Sequence, residues 1–192
     1  MQKQIRAIYD ADCIRVYQAY SPKIALPALK AGRFVLPFKM ARMTWIKPSF
    51  NWMMYRCGFG AKAGQETVLG IDITREGFEW ALANAALASH TAASTASREQ
   101  WRAALASRPV RVQWDPERDW KLDVVSDVRA IQIGLSGEAV ERYVNEWIRR
   151  IEDVTPIARC IGAAVTARQP KPESPADLER PYPAQAFAWL CE

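Results

Sequence analysis

Short stretches that alternate every second residue and stretches spaced for a helix follow one another along this chain in no repeating order. A regular β-α-β array would space its elements evenly, so the irregular mixture predicts an α+β fold, a mixed or antiparallel sheet with flanking helices. Ile5-Arg6-Ala7-Ile8-Tyr9 and Cys13-Ile14-Arg15-Val16-Tyr17 read as strands around the turn-prone Asp10-Ala11-Asp12. Ser21-Pro22 opens a short helix that Gly32 ends, with Pro27 predicting a kink or restart. Arg33-Phe34-Val35-Leu36 reads as a strand, and Ser49 precedes a buried helix closed by Gly58. Residues 66–73 form a further strand, and Thr74 caps the next helix. Ser97 and Gln100 have the spacing of a capping box. Residues 110–114 alternate as a strand that Asp115-Pro116 turns, and residues 128–135 form another. Val140, Tyr143, Val144, Trp147, Ile148 and Ile151 share one helical face, and Thr155-Pro156 begins a helix running to about Arg168.

At 192 residues this is one domain. The expected division is a single α+β domain over 1–168 and a Pro-rich tail over 169–192, which holds five of the twelve prolines. No apolar run reaches the roughly 18 residues a membrane span needs, and Met1-Gln2-Lys3-Gln4 leads into no signal-peptide core. The expectation is a soluble cytoplasmic protein with no membrane partner.

The inventory narrows the chemistry. The single histidine, His90, lies in a small polar stretch, Ser89 to Ser97, that reads as a loop, so His-based triads and His-rich zinc sites would all depend on it. Cys13, Cys57, Cys160 and Cys191 form no C-x-x-C pair, and no metal site is expected. No Gly-rich phosphate cradle occurs. Any catalysis must rest on carboxylates, Arg, Lys, Tyr, Ser, Gln and backbone groups.

Charge is unevenly placed. Residues 1–62 hold eleven Lys or Arg against Asp10 and Asp12, a net of +9, whereas residues 63–192 carry a net of −4. The bases are interleaved with aromatics, a pattern of folded structure with a cationic cleft for a phosphate-bearing ligand or nucleic acid. The competing reading is that acids from downstream neutralise them. Arg42-Met43-Thr44-Trp45-Ile46-Lys47-Pro48-Ser49-Phe50-Asn51-Trp52-Met53-Met54-Tyr55-Arg56 is the densest such segment. Phe50, Trp52, Met53 and Met54 suit a core. Arg6, Tyr17, Arg42, Trp45, Lys47, Ser49, Tyr55 and Arg56 are candidate ligand contacts, with aromatic rings to stack and Arg forks for phosphate. If Ser49 lies in the first helical turn, free N–H groups there could take an anion.

That segment, with residues 5–10 and 16–20, Gln65-Glu66 and Ile131-Gln132-Ile133-Gly134-Leu135-Ser136-Gly137-Glu138-Ala139, resembles the bacterial and fungal family catalogued as domain of unknown function 4291, a name that implies no activity. A second resemblance, in the order of strand, short helix, Gly and basic region, is to the ADP-ribosyltransferase superfamily with its DNA-modifying toxin branch. It implies an ADP-ribosyltransferase-like fold, NAD as cofactor and a catalytic Glu. The motif histidine of that superfamily falls at Gln18, whose amide could hold a ribose hydroxyl. The carboxylate is Glu138, with Glu66 the competing choice, and an acid at Glu138 also suits a helix dipole. Three functions stand open: an enzyme using NAD or another nucleotide through Gln18 and Glu138, a nucleic-acid-binding module, and a structural protein with internally paired bases.

Overall fold

The computed structural model describes residues 2–90 and 96–191; residues 91–95, within the stretch read as a loop, lie outside them. In chain order the elements are β1 (Gln2–Lys3), β2 (Arg6–Ala7), β3 (Cys13–Tyr20), α1 (Pro22–Ala31), β4 (Thr44–Ile46), α2 (Phe50–Cys57), β5 (Thr67–Thr74), α3 (Arg75–Ala83), β6 (Ala85–Leu87), α4 (Arg98–Ser107), β7 (Val110–Arg118), β8 (Val124–Leu135), α5 (Glu138–Arg142), a wide π-helical turn (Tyr143–Trp147), β9 (Ile148–Asp153), α6 (Thr155–Thr166) and β10 (Arg180–Pro181), with 3-10 turns at Pro175–Leu178 and Gln185–Cys191. The fold is α+β in a single domain.

Two sheets organise it. In the larger one β8 is central: β7 runs antiparallel along one side, with β6 parallel beyond it, and β1 and β4 pair with different lengths of β8. The smaller sheet is antiparallel in the order β3-β5-β9. A β-bridge between Tyr17 and Lys47 stitches the two, with Tyr17 N donating to Lys47 O at 2.7 Å and Lys47 N to Tyr17 O at 3.2 Å. The main core fills the space between sheets and helices with Ile14, Val16, Ile71, Ile73, Phe78, Ile133, Val140 and Trp147. Tyr17, Phe50, Met53 and Met54 pack in a second cluster against α6.

The capping signals for α2, α3 and α4 hold, although Ala85, spaced to continue α3, begins β6 instead. Ser49 Oγ accepts from Trp52 N and Gly58 ends α2 at φ 60°, the left-handed conformation glycine adopts without strain. Thr74 caps α3, and the Ser97–Gln100 capping box opens α4. Pro27 sits inside α1 without dividing it.

Three expectations are corrected. Residues 33–36 form no strand: the chain turns over Val35–Phe38 around a cis Leu36–Pro37 bond, Phe38 N donating to Val35 O at 2.9 Å, while the Phe34 ring stacks on Phe38 at 4.5 Å. Asp115-Pro116 does not turn the chain: β7 continues through it, and its register with β8 shifts between Pro116 and Arg118, a place where a strand tolerates a residue lacking N–H. The helix read through Ile151 stops at Trp147; Ile148 and Ile151 instead pair with Ile73 and Ile71 of β5.

The proline-rich segment packs onto the domain. Arg180 and Pro181 pair with Ala7 and Arg6, Tyr182 is buried between Tyr9 and Phe78, and Trp114 Nε1 donates to Leu190 O at 2.8 Å. No helix among the described residues is long and apolar enough to cross a membrane.

Candidate functional site

At the seam between the two sheets lies a recess of about 680 Å³. β3 contributes Gln18 and Tyr20, β4 Thr44 and Trp45, α2 Met53 and Arg56, and the antiparallel pair β7–β8 contributes Gln113 and Gln132. Lys39 and Arg42 reach it from the loop before β4, and Lys47 from the stitch itself. Of the described residues lining it, Lys39, Arg42, Lys47 and Arg56 are basic and none is acidic. None of the four forms an ion pair with a described residue, so the recess is a concentrated positive field.

Trp45 is half-buried and lies on Gly134, its cross-strand partner; a Cβ at Gly134 would stand 2.9 Å from Trp45 Cζ2. Gly134 therefore lets the indole lie against the strand as a wall. Gln113 and Gln132 face each other across β7 and β8, and each donates its Nε2 to Asp115, at 2.9 and 2.6 Å. Because an ionised carboxylate only accepts hydrogen bonds, this orients both amides and leaves their Oε1 atoms as acceptors.

Lys47 is the unusual group. It is 5% exposed, its Nζ donates a long 3.3 Å bond to Trp45 O and no other among the described residues, and it stands 5.4 Å from the centre of the Trp52 ring. Burial, reinforced by the nearby Arg56 guanidinium, pulls its pKa down to about 7. Asp115 opposes the shift more weakly.

Gln18 lines the recess with its amide already committed. Its Nε2 donates to Thr44 Oγ1 at 2.6 Å and Tyr20 Oη at 3.0 Å, and its Oε1 accepts from Tyr143 Oη at 2.8 Å. This network is 3% exposed at Gln18 and braces β3 against β4, and burial raises the Tyr20 hydroxyl to about 12.

The other sequence candidates lie outside the recess lining. Arg6 donates to Glu179 O at 2.6 Å. Tyr17 is buried edge-on against Phe50, its hydroxyl without a hydrogen-bond partner among the described residues. Tyr55 is exposed, with the Arg118 guanidinium 3.7 Å from its ring centre. Ser49 Oγ donates to Glu117 Oε1 at 2.9 Å, while Glu179 accepts from Phe50 N at 2.7 Å. The place at the start of α2 that an anion could take is thus occupied by a carboxyl group of the chain itself, brought by the C-terminal segment. Burial raises both Glu117 and Glu179, and Glu117 adds to the rise at Glu179. Glu138 starts α5 as an exposed residue held by Arg142 at 2.8 Å. Glu66 follows Gln65 of the lining; its Oε1 accepts from Gly64 N and its Oε2 is buried without a hydrogen-bond partner among the described residues. His90 belongs to a separate cavity of about 650 Å³ beside Trp101.

Sequence reasoning did not single out Tyr20, Thr44, Gln113 or Gln132. The signal for the glutamines was a pair of amides at matched positions of two strands, which takes meaning only once β7 and β8 are in register. Among the described residues no group of three or more His, Cys, Asp or Glu could hold a metal.

The fold and this recess define a single-domain α+β protein with a basic, tryptophan-walled cavity at a junction of sheets. The chain matches the family described as Domain of unknown function (DUF4291) over residues 4–182, and it belongs to that family. A search of curated proteins found no match.

Proposed function

We propose that the recess binds a phosphate-bearing nucleotide ligand. The observation that carries this reading is the lining itself: Lys39, Arg42, Lys47 and Arg56 with no opposing carboxylate among the described lining residues. Arg42 and Arg56 are exposed at the mouth, suited to forked contacts with phosphate oxygens. Trp45 offers a face for a base or nicotinamide ring, and the oriented Oε1 atoms of Gln113 and Gln132 offer acceptors for its amino groups. A volume of about 680 Å³ falls in the usual range for small-ligand sites, roughly 300–1,000 Å³, and favours a nucleotide over an extended strand of nucleic acid.

NAD is one member of this ligand class. ADP-ribosyl transfer draws no support from the lining: the Gln18 amide has its partners within the protein, and Glu138 pairs with Arg142 outside the recess. A thermal-shift panel of NAD, ADP-ribose, mononucleotides and oligonucleotides tests the proposal. A ligand at a hundredfold excess over Kd stabilises the folded state by about 2.7 kcal/mol. The expected result is a shift with a small phosphate-bearing compound, lost in Arg42→Ala and Arg56→Ala. A panel without any shift would overturn the proposal. A shift with oligonucleotides alone, falling steeply with salt, would replace it with the nucleic-acid-binding reading.

A further inference from the structure

The proposed recess holds one base that is poorly suited to binding phosphate as a cation. Lys47 lies at the seam, its backbone fixed on both sides by the Tyr17 bridge, with no carboxylate in salt-bridge contact among the described residues and 5% of its surface exposed. A strongly hydrated ammonium is costly to bury without a counter-charge, and a neutral amine costs far less. A neutral lysine amine beside other cations is the form that attacks carbonyl carbon.

We propose that Lys47 is a nucleophile that forms an imine with a carbonyl-bearing, phosphorylated ligand held by Arg42 and Arg56. This rests on the phosphate-binding reading of the recess and adds a reaction to it. The Nζ lone pair bonds to the carbonyl carbon while the π pair moves to oxygen. The carbinolamine then loses that oxygen as water together with both protons of the neutral amine, leaving C=N. No electrons are exchanged with a third compound, and water returning to the imine reverses the step.

The groups facing Lys47 define its pH response. Arg56 and Cys57 approach from α2 and Asp115 from β7; Arg56 favours the neutral amine, and Asp115 and Cys57 oppose it less than burial disfavours the cation. Arg42 and Lys39, which line the same recess, add positive charge of the same sign as Arg56. With its pKa near 7, about half of Lys47 is neutral at pH 7, against well under 1% for an exposed lysine near 10.4.

The test uses the intact protein with pyridoxal 5′-phosphate as the phosphorylated aldehyde and pyridoxal as its phosphate-free control. Brief exposure at pH 7 is followed by borohydride reduction and mapping of the adducts by mass spectrometry. Among the eight lysines, Lys47 is expected to label at least about tenfold faster than exposed Lys23 or Lys121. Its labelling should rise through pH 7, and the preference should weaken with pyridoxal or in Arg56→Ala. Labelling of Lys47 no faster than Lys23, or rising only near pH 10, overturns the proposal. Because the map is made on the unaltered chain, a Lys47 variant that fails to fold does not affect it. Thermal shifts separate the two claims: an inert Lys47 with ligand shifts intact removes only the nucleophile, whereas loss of both removes the site.

Discussion

Arg15 and Arg56 come from the same cationic third of the chain, yet one is held between two carboxylates and the other pairs with none among the described residues. On the smaller sheet, Arg15 of β3 reaches across β5 to Asp72 and on to Glu152 of β9, at 2.7 Å from each through Nη2. Gly70 leaves room for it: a Cβ there would stand 2.8 Å from Arg15 Nη1. At the seam, Lys39, Arg42, Lys47 and Arg56 converge with no acid among the lining residues described. Asp72 and Glu152 therefore pair Arg15 on the smaller sheet, whereas at the recess Asp115 holds the two glutamine amides and forms no ion pair with the four bases. Charge that is paired by strand register serves the fold, and charge left unpaired in a concavity is available to a ligand.

The largest effect expected from this contrast is at Arg15. Arg15→Ala leaves Asp72 and Glu152 facing each other in a partly buried site, and should cost about 2 kcal/mol, read from the denaturant midpoint at unchanged slope. The next is opposite in sign. Lys47→Met removes a buried amine whose ionisation folding opposes, and should stabilise the protein by about 1 kcal/mol or more at pH 6. The folded pKa of about 7 lies below the ordinary 10.5, so the unfolded chain binds more protons between those values. Wild-type stability consequently gains from this residue as pH rises from 7 to 10, and the advantage of Lys47→Met should shrink over that interval. Paired denaturation curves at pH 6, 8 and 10 decide it; an advantage that grows with pH would contradict the assignment. The smallest effect is at the mouth of the recess, where Arg42→Ala and Arg56→Ala should each change stability by less than about 0.5 kcal/mol while abolishing the ligand shift. A stability loss as large as that of Arg15→Ala would put these arginines with the fold instead.

Signals that act within a few residues were legible in the sequence. Ser49 and Gly58 bound α2, Thr74 starts α3, and Ser97 with Gln100 starts α4, because each cap is a bond between near neighbours. Failures came where a distant strand chose between two permitted structures. Ile148 and Ile151 fit the helical stripe begun at Val140, but β5 offered them an antiparallel edge, and β-branched residues are well suited to it. The site divided in the same way. Arg42, Trp45, Lys47 and Arg56 were visible as a dense basic and aromatic segment. Their glutamine neighbours come from β7 and β8, and the carboxyl groups that meet Ser49 Oγ and Phe50 N come from positions 117 and 179, distances over which no local pattern operates.

The backbone bridge between Tyr17 and Lys47 has a consequence for when the recess can exist at all. Neither sheet owns the cavity: β3 supplies one wall, β4 and β8 another, and the amine sits on the residue that joins them. A chain with one sheet assembled and the other still open would present the same arginines with no chamber behind them. A ligand of the proposed recess would then gain its chamber only where the two halves are docked, and by binding it would act as a clasp that holds the molecule shut.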